Sequence, residues 1–303
     1  MIEQIKFATL RLLEAPSFLP RVDRWMRRAR HLLARSSRAM AHAPFVCLFV
    51  AVALLVPISV KAEDKQTIYF FNQEANINNF ASLKLEFDTY FSGLGGYQLQ
   101  PFNDSDIFEK TVALKKDGVL LLSSWHYKKL KEQLSLKAVL VGVLNGKTTQ
   151  KKVLSAKKVA DTQGIRAMKV ASAGSKEYTR NILEEMFGSQ GNEFAIMPVP
   201  KDIDALMAVG FGMATAALTS ENSLSNLENI NLKQYQQLKQ IGKSGEKFLM
   251  IAAIPEDTEA GNAPLLGMMV KMGATTEGEN KLRMLGLQGF RALSATEKEA
   301  LSK

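Results

Sequence analysis

Val119 to Leu122 is an apolar run without a polar break, bounded by Gly118 before it and by Ser123, Ser124, Trp125, His126 and Tyr127 after it. A run of this kind suits a strand covered on both faces, as in a parallel sheet flanked by helices, and it points to an α/β architecture. In open α/β sheets ligands bind outside the carboxyl ends of the strands. The hydroxyls, indole, imidazole and phenol gathered after the run therefore make a candidate pocket edge. The same residues also read as a strand entering a helix N-cap, because serine caps well and Lys128-Lys129-Leu130-Lys131 continues helically.

The chain on either side repeats the pattern. Residues 67–71 form a first strand, rich in β-branched and aromatic types, which ends in the polar loop 72–76. A helix follows, with Phe80, Leu83, Leu85, Phe87 and Phe91 as its apolar contacts, and the glycines at 93, 95 and 96 stop it. These glycines follow a helix rather than a strand, so they are not a phosphate-cradling loop. Residues 97–102 are a second strand, 104–116 a helix, 127–134 a helix and 136–144 a long fourth strand. After the Asn145-Gly146 turn, the lysines of 147–158 read as a solvated face.

A second series then starts: a strand at 166–171, a helix through Phe187, a strand at 193–199, a helix at 203–210, a weak strand at 214–218 and a helical region at 227–241. Residues 248–254 read as a buried strand stopped by Pro255. Residues 264–272 read as a Met-rich strand or return connection, and 279–293 as a helix before a last short one. Alternation with short connections predicts mostly parallel sheets in two successive α/β units.

The net charge of +9 is unevenly spread. Residues 1–62 carry ten Lys/Arg and three acids, which leaves 29 basic and 27 acidic residues for the rest. The body is close to neutral, which argues against an electrostatic nucleic-acid partner. Beyond residue 62 there is no cysteine and one histidine, His126, so disulfides and Cys/His zinc sites are excluded there and no metal or other cofactor is expected.

Residues 45–60 are apolar but would span only about 24 Å as a helix, against a hydrocarbon core of about 30 Å. Basic residues precede them and Val60-Lys61-Ala62 follows. This is a signal-peptide pattern with expected cleavage after Ala62 and a periplasmic destination; a short uncleaved anchor is the alternative. No lipobox surrounds Cys47. The long preceding region is either a basic amphipathic helix, with Val22, Trp25, Met26, Ala29, Leu32 and Leu33 on one face, or the result of an internal start at Met26.

Ser172-Ala173-Gly174-Ser175 follows a strand and opens a helix, where free N–H groups and the positive helix end favour an anion. Ser175 and Thr179 add hydroxyls beside Tyr178, and Lys176 adds a charge; a plain N-cap at Ser175 is the duller reading. For catalysis, Ser123 or Ser124 with His126 and an acid at Asp104 or Asp106 are the available groups. No Gly-x-Ser-x-Gly elbow, Walker loop or dinucleotide fingerprint accompanies them, so an enzyme is not expected.

The segments GVLLLSSWHY at 118–127, ASAGSKEYTRNIL at 171–183, VGFGMATAAL at 209–218 and LGLQGF at 285–290 together resemble the periplasmic solute-binding proteins of ABC transporters, of the phosphate/phosphite/phosphonate type. The resemblance covers nearly everything after residue 62. It implies the type 2 binding-protein fold: lobe 1 from 63–144 and 253–303, lobe 2 from 145–252, and a hinge that closes them on a ligand. It places an anionic solute at Ser172, Gly174, Ser175, Lys176, Tyr178 and Thr179, with Ser123, Ser124, His126 and Tyr127 expected across the cleft. It also implies an ABC-transporter permease as the membrane partner. Use of the same fold as a secreted or anchored sensory domain acting on a membrane partner is the alternative. Two departures are visible: the family's Ser-Thr-Ser-Gly signature is reduced to Ser172-Ala173-Gly174-Ser175, and Thr215 stands where an acid is often found.

Overall fold

The computed structural model describes residues 65–72, 77, 79–115, 117–157 and 168–302. The expectations for the first 62 residues, cleavage included, lie outside the described residues.

The first sheet is built around three parallel strands. β1 (Gln66–Phe71) pairs on one side with β2 (Tyr97–Pro101) and on the other with β3 (Val119–Leu122). Helices α1 (Phe80–Ser92), α2 (Ser105–Lys115) and α3 (Ser124–Leu130) connect these strands and lead on to β4 (Leu136–Val143). Two late strands complete the sheet in antiparallel fashion: β10 (Ile251–Pro255) slots between β3 and β4, and β11 (Gly289–Ala292) covers the far edge of β4. Four of the six strands thus run one way, as the alternating pattern requires.

Side-chain alternation explains why these strands read as unbroken apolar runs. Ile68 and Phe70 of β1, Val119 and Leu121 of β3, and Ala252 and Ile254 of β10 enter one core. Tyr69, Phe71, Leu120, Leu122, Ile251 and Ala253 enter the other, on the opposite face. With both faces covered, neither parity of residue meets water. The first core is closed by α1, by α8 (Glu259–Lys271) and by α9 (Thr276–Met284); the second by α2, α3 and the C-terminal α10 (Ala295–Ser302).

The second sheet has the order β7-β6-β8-β5-β9. β6 (Lys169–Ser172) is parallel to β7 (Ala195–Pro198) and to β8 (Ala216–Ser220). β5 (Thr149–Ala156) runs antiparallel to β8 and to β9 (Lys239–Phe248). Between them lie α4 (Lys176–Phe187), α5 (Asp202–Gly210), α6 (Glu221–Ile230) and α7 (Leu232–Gln237). Val170 and Leu218 face the α4 side, and Ala171 and Ala217 the α5 side.

The chain crosses between the sheets twice, side by side. The first crossing is the tight turn at Leu144 to Lys147, where Asn145 and Gly146 take positive φ and Leu144 and Lys147 exchange backbone hydrogen bonds. The second is Leu249-Met250, and Leu249 donates its N–H to Thr148 O at 2.9 Å.

Several elements depart from the sequence reading. The lysine-rich stretch after residue 147 is the strand β5, and Lys152 within it is buried. The helical region expected at 227–241 is two short helices followed by the polar strand β9. The Met-rich stretch expected as a strand or return connection is α8, which carries Pro264 as its sixth residue. The last part of the helix expected at 279–293 is β11. The lobe boundary expected at 252/253 falls inside β10, which belongs whole to the first sheet, so the return crossing precedes Ile251.

Candidate functional site

The carboxyl ends of β1, β2, β6 and β7 open on one hollow of about 390 Å³. The first sheet contributes Phe71 and Asn72 from β1, Phe102 to Ser105 from the turn after β2, and Phe80 from the start of α1. The second contributes Ala173, Gly174 and Ser175 from the turn after β6, and Val199 and Pro200 from the turn after β7. This is the position at which open α/β sheets bind ligands.

Three helix N-termini reach this hollow, and each is built from its own sequence. Asn79 caps α1 by accepting from Ser82 N at 2.9 Å. Asp104 caps α2 by accepting from Ile107 N at 2.9 Å. Ser175 caps α4 by accepting from Tyr178 N at 3.1 Å. The first-turn amides of each helix have no partner within the helix, and each N-terminus carries a partial positive charge of about half a unit. Among the described residues, Asp104 is the only ionisable side chain lining the hollow.

The β6–α4 turn is fixed from below. Ser172 is buried, and its Oγ accepts from Thr179 Oγ1 at 2.9 Å and from Gly174 N at 3.3 Å. The Ser172 carbonyl accepts from Val199 N at 3.0 Å, tying this turn to the next one. A Cβ at Gly174 would lie 2.6 Å from Cδ1 of Tyr178, so the glycine is required by the ring packed over it. Ser172, Tyr178 and Thr179 therefore shape the turn from the interior rather than face the hollow. Lys176 is exposed on the helix and does not line the hollow.

The expected strand end at 123–127 has a different place. Ser123 is the N-cap of α3, its Oγ accepting from His126 N at 3.2 Å. Tyr127 is buried in the first sheet's core and donates its hydroxyl to Leu136 O at 3.2 Å. His126 is 1% exposed; its Nε2 lies 2.9 Å from Glu109 Oε1, and its ring stands edge-on to Phe71 and Phe108. Burial pushes its pKa below the ordinary histidine value, against the pull of Glu109. None of these three lines the hollow, where the sequence reading expected them across the cleft.

The two expected segments do come together, but through other side chains. Trp125 leaves α3 and packs against the second sheet's core, its ring 5.7 Å from that of Tyr178. Lys129 Nζ bridges Glu109 at 2.9 Å and Glu177 at 3.2 Å. Ser124 lines a separate hollow with Trp125 and Lys129, to which α4 contributes Glu177 and Asn181. Among the described residues no serine hydroxyl is bonded to the His126 imidazole, which is enclosed by aromatic rings, and Ser123 Oγ accepts from the His126 backbone instead.

Residues that the sequence did not single out complete the cleft. Asn72 and Ile77 line both the hollow already described and an adjoining one of about 300 Å³. The second hollow lies by the two crossings, at Leu144 and Leu249, and takes Ser220, Asn222, Ser223 and Asn226 from the β8–α6 turn and α6. Asn72 was visible as a polar residue at a strand end; Asn222 and Asn226, spaced i,i+4 on a helix start, carried the same signal. Thr215 lies at the amino end of β8, where its N–H and Oγ1 bond Lys169, so it is remote from the cleft at that strand's carboxyl end.

No family model matches the chain, and no curated protein matches it in sequence. Solved structures do match in fold. A binding-protein component of an ABC phosphonate transporter from Pseudomonas aeruginosa superposes with a TM-score of 0.58 at 14% identity, over 79% of this chain and 85% of that one. A Xanthomonas citri protein bound to ATP gives 0.60 at 10% identity, over 79% and 94%. The Prochlorococcus marinus protein PhnD1 in complex with methylphosphonate gives 0.56 at 11% identity, over 79% and 96%. The chain has the two-sheet fold of periplasmic binding proteins.

Proposed function

We propose that the protein is a periplasmic solute-binding protein that captures a small anionic solute in this cleft and delivers it to an ABC-transporter permease. The observation that carries the reading is the convergence of three capped helix N-termini on one hollow that the described residues line with no cationic side chain. Helix ends and amides stabilise an anion without a counter-charge, by about 0.3–1 kcal/mol each at the surface and more when partly buried. The fold likeness supports the same reading, since two of the structures named above are described as phosphonate-transporter or methylphosphonate-bound proteins.

In this reading the amides of Lys176 and Glu177, at the start of α4, hold the oxyanion, while the Gly174 amide is turned to Ser172 Oγ and shapes the turn. Asp104 opposes a full anion, and its cap bond leaves a second carboxylate oxygen to accept from a protonated ligand oxygen. A hydrogen phosphate, a phosphonate monoanion or a singly protonated phosphate monoester thus fits better than a fully ionised tetrahedral anion. Isothermal titration with phosphate and methylphosphonate tests the reading. Saturable binding that is lost on Gly174→Val but largely kept on Ser175→Ala supports it, because the valine disrupts the turn while the alanine removes only a cap. Absence of any saturable heat contradicts it.

A further inference from the structure

We infer that the solute is a phosphate or phosphonate ester whose organic part is neutral and hydroxylated, a sugar or polyol ester, with that part seated in the second hollow. The inference rests on the anion reading of the first hollow. The two hollows adjoin at Asn72 and Ile77, and a tetrahedral anion at Gly174 leaves the second one unfilled. Its polar wall is Asn222, Ser223 and Asn226 on one face of α6, with Gln150 from β5 and Asn72 from β1. These are amides and a hydroxyl, groups that both donate and accept.

Among the described residues, the only charged side chain lining this hollow is Arg283, whose guanidinium pairs with Glu279 at 3.2 Å one helical turn away. Among the described residues no carboxylate lines it, so none of them matches an ammonium group. The opposite wall is apolar: Leu144, Leu249, Met284, Leu285 and Leu287. A sugar or polyol presents the same two aspects, O–H groups that donate and accept on its edges and C–H groups on its faces. Hydrogen bonds from Asn222 and Asn226 to ligand hydroxyls, with ligand C–H groups against the apolar wall, are contacts that an ester can make and methylphosphonate cannot.

The test is titration calorimetry of the full-length protein with methylphosphonate, glycerol 3-phosphate, glucose 1-phosphate and glucose. We expect at least one of the two esters to bind about tenfold or more tighter than methylphosphonate, and glucose alone not to bind. The double variant Asn222→Leu, Asn226→Leu, altered at two exposed positions, should lose that preference while its methylphosphonate affinity stays within about twofold. Methylphosphonate binding in the variant also reports that it is folded. Equal affinity for esters and methylphosphonate in the wild type overturns the inference and leaves the anion reading standing. Loss of methylphosphonate binding together with ester binding in the variant also overturns it. Failure of all four compounds to bind the wild type overturns the anion reading and this inference with it.

Discussion

The ring of Trp125 stands 5.7 Å from that of Tyr178 at an interplanar angle of 70°, joining α3 of the first sheet to α4 of the second. Tyr178 in turn occupies the space that a Cβ at Gly174 would need. One line of contact thus runs from the first sheet, through two aromatic rings, to the turn that faces the cleft. The spacing and tilt are those of a favourable edge-to-face pair.

Trp125 should therefore matter more to the junction than the ion pair beside it. Lys129 and Glu177 are about one-third and two-thirds exposed, and exposed pairs contribute about 0–1 kcal/mol. Trp125→Ala removes a half-buried ring and should destabilise the protein by about 1–3 kcal/mol in urea denaturation. Lys129→Met should cost less than about 1 kcal/mol. Equal costs would show that the aromatic contact does not hold the junction.

Gly174→Ala places a methyl against the Tyr178 ring and should cost about 1–3 kcal/mol. In a Tyr178→Leu background the same change should cost much less, since its obstacle is gone. A double-mutant cycle reads this coupling directly. Strict additivity would mean that the glycine answers to the ligand or the backbone and not to the ring.

Stability should fall between about pH 7 and pH 5, and His126 should be a cause. Burial lowers its folded pKa below the ordinary value of about 6.5, so the unfolded chain binds the proton first as pH falls. The folded state is then disfavoured progressively below the unfolded pKa. Glu297 does not contribute in this window: Arg291, with help from Ser294 and Thr148, holds it at about 2, and it stays ionised. Urea midpoints of the wild type should drop from pH 7.5 to pH 5.0, and His126→Leu should show a clearly smaller drop. An unchanged drop in the variant would assign the effect to other groups.

The central strands of the first sheet were legible because their faces are both buried: residues 119–122 of β3 and 251–254 of the antiparallel β10 announce themselves by unbroken apolar sequence. β9 was not, because KQIGKSGEKF lies at the sheet edge with one face in water and carries lysines and glycines, so no apolar period marks it. α8 was misread because its thirteen residues are apolar nearly all round and contain Pro264, which argues against a helix interior yet sits inside this one. The turn at Gly174 and the cap at Ser175 were legible because a capping serine after a strand and a glycine is a local signal. His126 and Tyr127 were misplaced because the sequence shows that polar atoms leave a strand together, but not on which side of the sheet each one lands. Asn222 and Asn226 were passed over since exposed asparagines near a helix start look like any solvated face.

Backbone amide NMR during titration with methylphosphonate reads directly whether the helix N-termini around Gly174 hold an anion. Saturable shifts should concentrate at Gly174, Ser175, Lys176 and Glu177 and at Ser105 and Asp106, with Ser123, His126 and Tyr127 nearly still. Saturable shifts centred on Ser123 to Tyr127, or no shift at the start of α4, would contradict an anion held there.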